Sequence, residues 1–251
     1  MLIFEKANHK HRFPFATWGL ILLMGGLLLF VDPNSLELIP ANKLGLSILT
    51  SIFAHTGIVH YLSNVIYLYI FGDNVEDVLG HIMYVIAFII LGLLGNFFYV
   101  LTHLDSYRPV VGASGAVSGI LGMYFILFPN VKASVAIRWH SIENIRASVA
   151  ILFWLIYQVA LSIVGLHFSL GMAFGAHFVG FLGGLLLGFV FSKLGYLDRH
   201  EERIRKSMGN KLTVLCPSCS TPKIVKKYGQ YTCAVCKSYF SFDVTGKRLI
   251  S

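Results

Sequence analysis

Ser114 lies in VVGASGAVSG (110–119), between Gly112 and Gly115 and with no charge in the stretch. A serine hydroxyl is a poor nucleophile until a base takes its proton. A base of the right type occurs in GAHFVGFLGG (175–184), where His177 stands three residues before Gly180 and seven before Gly184. A further polar pair, His60 and Asn64, is spaced four apart and so shares one helix face. Both side chains can donate hydrogen bonds to a tetrahedral oxyanion. His55 precedes them at a loop-to-helix junction, a place from which it would shape the entrance. The chemistry these types allow is acyl transfer. Ser114 would attack, His177 would accept its proton, and Gly112 and Gly115 would let a substrate carbonyl come close. The N–H groups and dipole of a helix N-terminus would favour the negative charge.

The four cysteines form a second constellation: Cys216, Cys219, Cys233 and Cys236, two CxxC knuckles separated by thirteen residues. Four thiolates at this spacing suit tetrahedral Zn2+ and leave no open position, so the metal would be structural. Rubredoxin-like iron is the chemical runner-up, ahead of a pair of redox dithiols. The intervening KIVKKYGQYT (223–232) predicts a β-hairpin with a glycine-containing turn. No cofactor is expected for the serine chemistry.

The elements that must position these groups are apolar. Of the 251 residues, 56% are hydrophobic and 13% charged. This composition excludes an ordinary soluble core and reads as a polytopic membrane protein. Six spans are expected, at about 14–31, 58–79, 82–103, 111–128, 147–166 and 170–192. The first follows Lys6, Lys10 and Arg12 but lacks a small-residue cleavage site, so it reads as a span and not as a removable signal.

Residues 1–192 balance eight basic against eight acidic residues, whereas 193–251 hold twelve basic and four acidic, the whole of the net charge of +8. Positive-inside counting therefore places both termini in the cytoplasm, with only Lys43 and Arg108 in outer loops. A basic tail alone is a weak footprint for nucleic acid, which is not expected as a partner.

In this orientation the second, fourth and sixth spans all begin at the outer face. Ser114 and His177 would lie about 5 and 10 Å into their helices. Gly112, Gly115, Gly119 and Gly122 line one face of the fourth span, and Gly180, Gly184 and Gly188 line the sixth. Such small-residue faces let membrane helices pack closely. They would bring His177 to Ser114.

With these residues in view, the chain resembles the rhomboid family of intramembrane serine proteases. The likeness rests on HTGIVHYLSN (55–64), FGDNVEDVLG (71–80), GASGAVSGILG (112–122) and GAHFVGFLGG (175–184), in family order and on the expected spans. It implies a six-helix membrane fold that cleaves transmembrane segments of other proteins. Ser114 would be nucleophile, His177 general base, and Asn64 and His60 oxyanion or substrate contacts. Glu76 would be structural. Two features depart from the pattern. Ser118 stands where some members have a tyrosine that packs on the catalytic histidine, and the Trp-Arg pair of the first outer loop is missing from 32–57. The cysteine segment, about 212–245, resembles a zinc ribbon.

The expected fold class is therefore an all-α, six-helix bundle followed by a small β-rich ribbon. The expected division is 1–195 for the membrane domain, 196–211 for a charged linker and 212–251 for a cytoplasmic ribbon. The expected setting is a prokaryotic cell membrane, with client transmembrane proteins as substrates and a cytoplasmic protein as partner of the ribbon. Two other classes compete with a protease. One is a catalytically silent relative that binds clients. The other is a transporter, against which the polar residues cluster at one depth instead of crossing the membrane.

Overall fold

The computed structural model describes residues 2–5, 12–42, 44–137, 140–168, 174–207, 212–225, 229–242 and 248–249. The chain opens with strand β1 (Leu2–Glu5), helix α1 (Phe15–Phe30) and the short helices α2 (Pro33–Leu36) and α3 (Ser47–Thr50). Next come α4 (Ile58–Tyr67), a π-helical turn (Leu68–Gly72), α5 (Asp73–Leu79), α6 (His81–Thr102) and α7 (Ser114–Leu127). Strands β2 (Lys132–Ile137) and β3 (His140–Arg146) lead into α8 (Ala147–Phe168), α9 (Phe174–Lys193) and α10 (Tyr196–Ser207). The tail holds β4 (Leu212–Leu215), β5 (Pro222–Val225), β6 (Gly229–Thr232), β7 (Tyr239–Phe242) and β8 (Arg248–Leu249).

Each of the six segments expected to span a membrane is helical. By length and composition α6 and α9 suffice to cross one, while α1 and α7 are shorter apolar helices, and within α8 the stretch Ala147–Gln158, whose side chains are described, is apolar in the same way. The second segment is one path of α4, the π turn and α5. It ends at Gly80, whose φ of +83° turns the chain into α6. A side chain there would be strained by the left-handed backbone and would also displace the tip of Arg12, whose guanidinium lies 2.7 Å from a Cβ built on this glycine.

One expectation about a helix start needs correction. The fourth helix begins at Ser114 and not near 111, so the serine occupies the first helical position instead of lying one turn in. Gly112, with φ +128°, cannot continue a helix and instead donates its N–H to Ser51 O at 2.8 Å. The sixth helix is described from Phe174, three residues before His177; its expected start near 170 lies outside the described residues.

Close packing of α7 on α9 sets the centre of the bundle. A Cβ on Gly184 would collide with Gly119 O, one on Gly180 with Gly115 O, and one on Gly122 with Phe181 O. The two backbones can approach this far only because glycine lies at each crossing. Around them Phe71, Tyr84, Phe88 and Tyr124 are fully buried, with the Phe71 and Tyr124 rings edge-on at 4.8 Å.

The end of the bundle remote from Ser114 is polar and tied. Glu76 is fully buried and accepts hydrogen bonds from Ala16 N (2.8 Å), Thr17 N (2.7 Å) and Thr17 Oγ1 (2.7 Å), with His81 Nδ1 at 2.5 Å. It thus satisfies N–H groups that the first turn of α1 leaves free, where negative charge also suits the helix dipole. Asp77 accepts from Arg12 N at 3.0 Å and pairs with His200 Nε2 at 2.9 Å, while Arg203 donates to Asp77 O at 3.1 Å. The segment expected to be a charged linker is therefore, over Tyr196–Ser207, a helix docked on α5. Among its described side chains, His200 and Ile204 are buried.

The part of the chain before the tail is also not purely α-helical. β1, β2 and β3 form an antiparallel sheet, with Ile3 opposite Val135 and Lys132 opposite Arg146. Ile3, Ala133 and Val135 turn into the core. In the tail, the expected hairpin across 223–232 does not form between its own strands. β5 pairs back to β4, and β6 pairs forward to β7, so each CxxC knuckle sits in its own strand pair.

Candidate functional site

Ser114 Oγ and His177 Nε2 are 2.7 Å apart. The serine gains its position as the first residue of α7. The first ladder bond of this helix runs from Val117 N to Ala113 O, at 2.9 Å. The N–H groups of Ser114 and Gly115 fall ahead of that bond and carry the positive end of the helix. The histidine gains its position from α9, whose glycine face lies directly on α7.

His60 reaches the same place from α4. Thr56 Oγ1 lies 3.2 Å from its Nδ1, so a hydroxyl donating there leaves the proton on Nε2. That nitrogen lies against Gly112, where an added Cβ would be 2.8 Å away. A side chain at 112 would displace the His60 ring from the cavity that it shares with Ser114.

Asn64 Nδ2 lies 3.1 Å from His55 Nε2 and 3.1 Å from His60 O. Both amide hydrogens are thus engaged, and donation to an oxyanion requires exchanging one of these bonds. The expected entrance role of His55 is corrected here. Its side chain is buried, with a relative exposure of 1%, and it stands behind Asn64 instead of at the mouth. Burial, and then the neighbouring His60, push its pKa down to about 4, so it stays neutral and able to accept from Asn64.

Ser114, His177, His60, Asn64, Gly112 and Gly115 line one cavity of about 490 Å³. Its walls include Trp154 and Gln158 of α8. Trp154 is buried and packs at a tilt against Tyr67, ring centres 6.1 Å apart, whereas Phe153 and Tyr157 are exposed. Ser118 does not replace the absent tyrosine, because its hydroxyl donates to Ser114 O at 2.6 Å within the helix. The histidine instead meets the Phe174 ring edge-on at 5.9 Å and, through Nδ1, Gln158 Oε1 at 3.4 Å. Sequence reasoning passed over Gln158. The available signal was an amide alone in the apolar run AILFWLIYQVAL, since polar groups at that depth are costly without a partner.

The cysteines form a separate cluster. The four Sγ atoms all lie within 4.8 Å of one another, with Cys216–Cys236 at 3.5 Å and Cys219–Cys233 at 3.6 Å. Four thiolates on one zinc ion would stand about 3.8 Å apart, given Zn–S bonds near 2.3 Å. The two knuckles repeat one geometry. Ser220 N donates to Cys216 O and Lys237 N to Cys233 O, and both Ser220 and Lys237 take positive φ (56° and 61°). A bond from Ser238, followed by amide N–H groups of Cys219 and Ser218, lowers the Cys216 pKa to about 5. The donor set therefore fits a four-thiolate metal site.

Residues 44–194 match the family model described as the Rhomboid domain, and 213–250 match one described as Domain of unknown function (DUF8512). Over 154 residues the chain is 32% identical to "RHOMBOID-like protein 5" of Arabidopsis thaliana, covering 60% of this chain and 46% of that protein. It is 30% identical over 146 residues to "Putative rhomboid protease YdcA" of Bacillus subtilis, covering 57% and 65%. It is also 30% identical over 181 residues to "Inactive rhomboid protein 2" of Homo sapiens, covering 71% of this chain and 19% of that protein. The chain thus spans less than two thirds of the length of each. Relatives from a plant, a bacterium and an animal do not favour the prokaryotic source expected from sequence.

Proposed function

From the premise that this chain belongs to the rhomboid family, we propose that it is an intramembrane serine endopeptidase that cleaves transmembrane segments of client proteins. One observation carries the reading: Ser114 Oγ lies 2.7 Å from His177 Nε2 at the N-terminus of a helix. The Ser114 oxygen attacks the scissile carbonyl as His177 Nε2 takes its proton. The oxyanion that forms is met by the Ser114 N–H and by Nε2–H of His60, with Asn64 as a further donor after it releases His60 O. His177 then returns its proton to the leaving amine. Water, deprotonated by the same nitrogen, hydrolyses the acyl-serine. A client helix must unwind locally to enter, because its backbone carbonyls are otherwise engaged.

The six apolar segments form the membrane domain, with both termini on the cytoplasmic side and the dyad toward the outer face. This orientation rests on the distribution of basic residues. The four-cysteine segment is a structural zinc ribbon, held by Cys216, Cys219, Cys233 and Cys236. It takes no part in peptide hydrolysis and is suited to hold a client or a cytoplasmic partner. The human relative whose name calls it inactive makes a silent client-binding protein the second reading. The test is cleavage of a transmembrane substrate by the purified chain in liposomes. The protease reading predicts product from the parent and none from Ser114→Ala; equal product from both would contradict it.

A further inference from the structure

We infer that Gln158 is the positioning residue for His177, in the place where the sequence offers neither an acidic third member nor a tyrosine. This inference rests on the dyad reading above and deepens it. An imidazole can act as base toward Ser114 only if the nitrogen facing the serine is unprotonated. The proton must then reside on Nδ1, and something has to hold it there. The atom opposite Nδ1 is Gln158 Oε1, at 3.4 Å. A carbonyl oxygen only accepts, so this contact selects the Nδ1–H tautomer and leaves the Nε2 lone pair on Ser114 Oγ.

Among the described residues, Gln158 is the acceptor that faces His177 Nδ1. Ser118 spends its hydroxyl on Ser114 O, and Phe174 offers a ring edge but no acceptor. Asn64 Nδ2 is engaged with His55 Nε2 and His60 O. Gln158 lines the same cavity as the dyad, one turn beyond the buried Trp154 that fixes this stretch of α8. The bond is long in the resting site, as bonds to catalytic groups often are before charge develops, and it tightens when the ring becomes imidazolium. A neutral amide lends less to that imidazolium than a carboxylate would. Gln158 therefore sets orientation and tautomer more than charge.

The experiment compares the full chain with Gln158→Met and Gln158→Glu, following cleavage of a transmembrane substrate across pH, with Ser114→Ala alongside. Methionine keeps the volume and loses the acceptor. It should lower kcat about tenfold to a hundredfold, within the range for loss of a group that orients a general base, while KM stays within about twofold. Glutamate keeps the acceptor and adds charge. It should preserve cleavage and move the acidic limb of the pH–rate profile to higher pH, since a carboxylate favours the protonated ring. If Ser114-dependent cleavage persists with kcat and pH profile unmoved in both variants, this inference is overturned and the dyad stands. If the parent shows no Ser114-dependent cleavage, the dyad reading fails and takes the inference with it.

Discussion

The carbonyl oxygen of Gly119 occupies the space that a β-carbon on Gly184 would need. This backbone contact is the reason that Ser114 and His177, 63 residues apart, share a hydrogen bond. Gly184→Ala should therefore force α7 and α9 apart. Overpacking of this kind costs about 1–3 kcal/mol, and it should remove Ser114–His177 contact and activity together. Gly26→Ala is the control, because nothing lies within 4 Å of its added carbon. Thermal unfolding in detergent, with cleavage measured in parallel, checks both.

Glu76 holds four donors from α1 and α6 at the opposite end of the bundle. Glu76→Ala leaves Ala16 and Thr17 N–H groups without a buried acceptor, at about 1–3 kcal/mol each. The expected result is a much lower unfolding temperature with no specific change in the pH–rate profile of whatever protein remains folded.

His55 gives a pH dependence of stability. Its folded pKa is depressed to about 4, while the unfolded side chain titrates near 6.5. Above pH 6.5 both states are neutral and the residue contributes no slope. Between pH 6.5 and about 4 the unfolded chain binds the extra proton, so its share of stability is lost as pH falls. The unfolding temperature should drop less over this window in His55→Gln than in the parent chain. An equal drop in both would assign the slope to other groups.

The cysteine cluster predicts one zinc ion per chain and its loss in Cys216→Ser. Metal removal should unfold the ribbon, because binding and folding are one free energy in such modules. Hydrolysis of an unselective substrate should persist, since no cysteine lines the dyad cavity. Metal analysis and cleavage on the same sample decide it. Activity lost with the zinc on every substrate would show that the ribbon acts on the catalytic centre.

The proximity of Ser114 and His177 was legible in the sequence because its signals are local: small residues at helical spacing, with one serine and one histidine on those faces. The cysteines were legible for the same reason. What escaped was set by tertiary contact. Gln158 is one amide in an apolar helix, and nothing in its neighbourhood says that α8 turns it toward His177. The β1–β2–β3 sheet joins residues more than 120 positions apart, such as Ile3 and Val135, and no period in either segment announces the pairing. The docking of α10 depends on His200 meeting Asp77, in a stretch that read as a charged, partly helical linker. The 223–232 segment did become two strands, but pairing outside the segment won over the local turn.

The central claim is that Ser114 is a nucleophile armed by His177. A serine-reactive fluorophosphonate probe tests it without knowledge of the substrate. The account predicts covalent labelling of the folded parent at Ser114, no labelling of Ser114→Ala, and labelling at least about a hundredfold slower in His177→Ala. Labelling of Ser114→Ala equal to that of the parent, or a folded parent that never reacts, would contradict it.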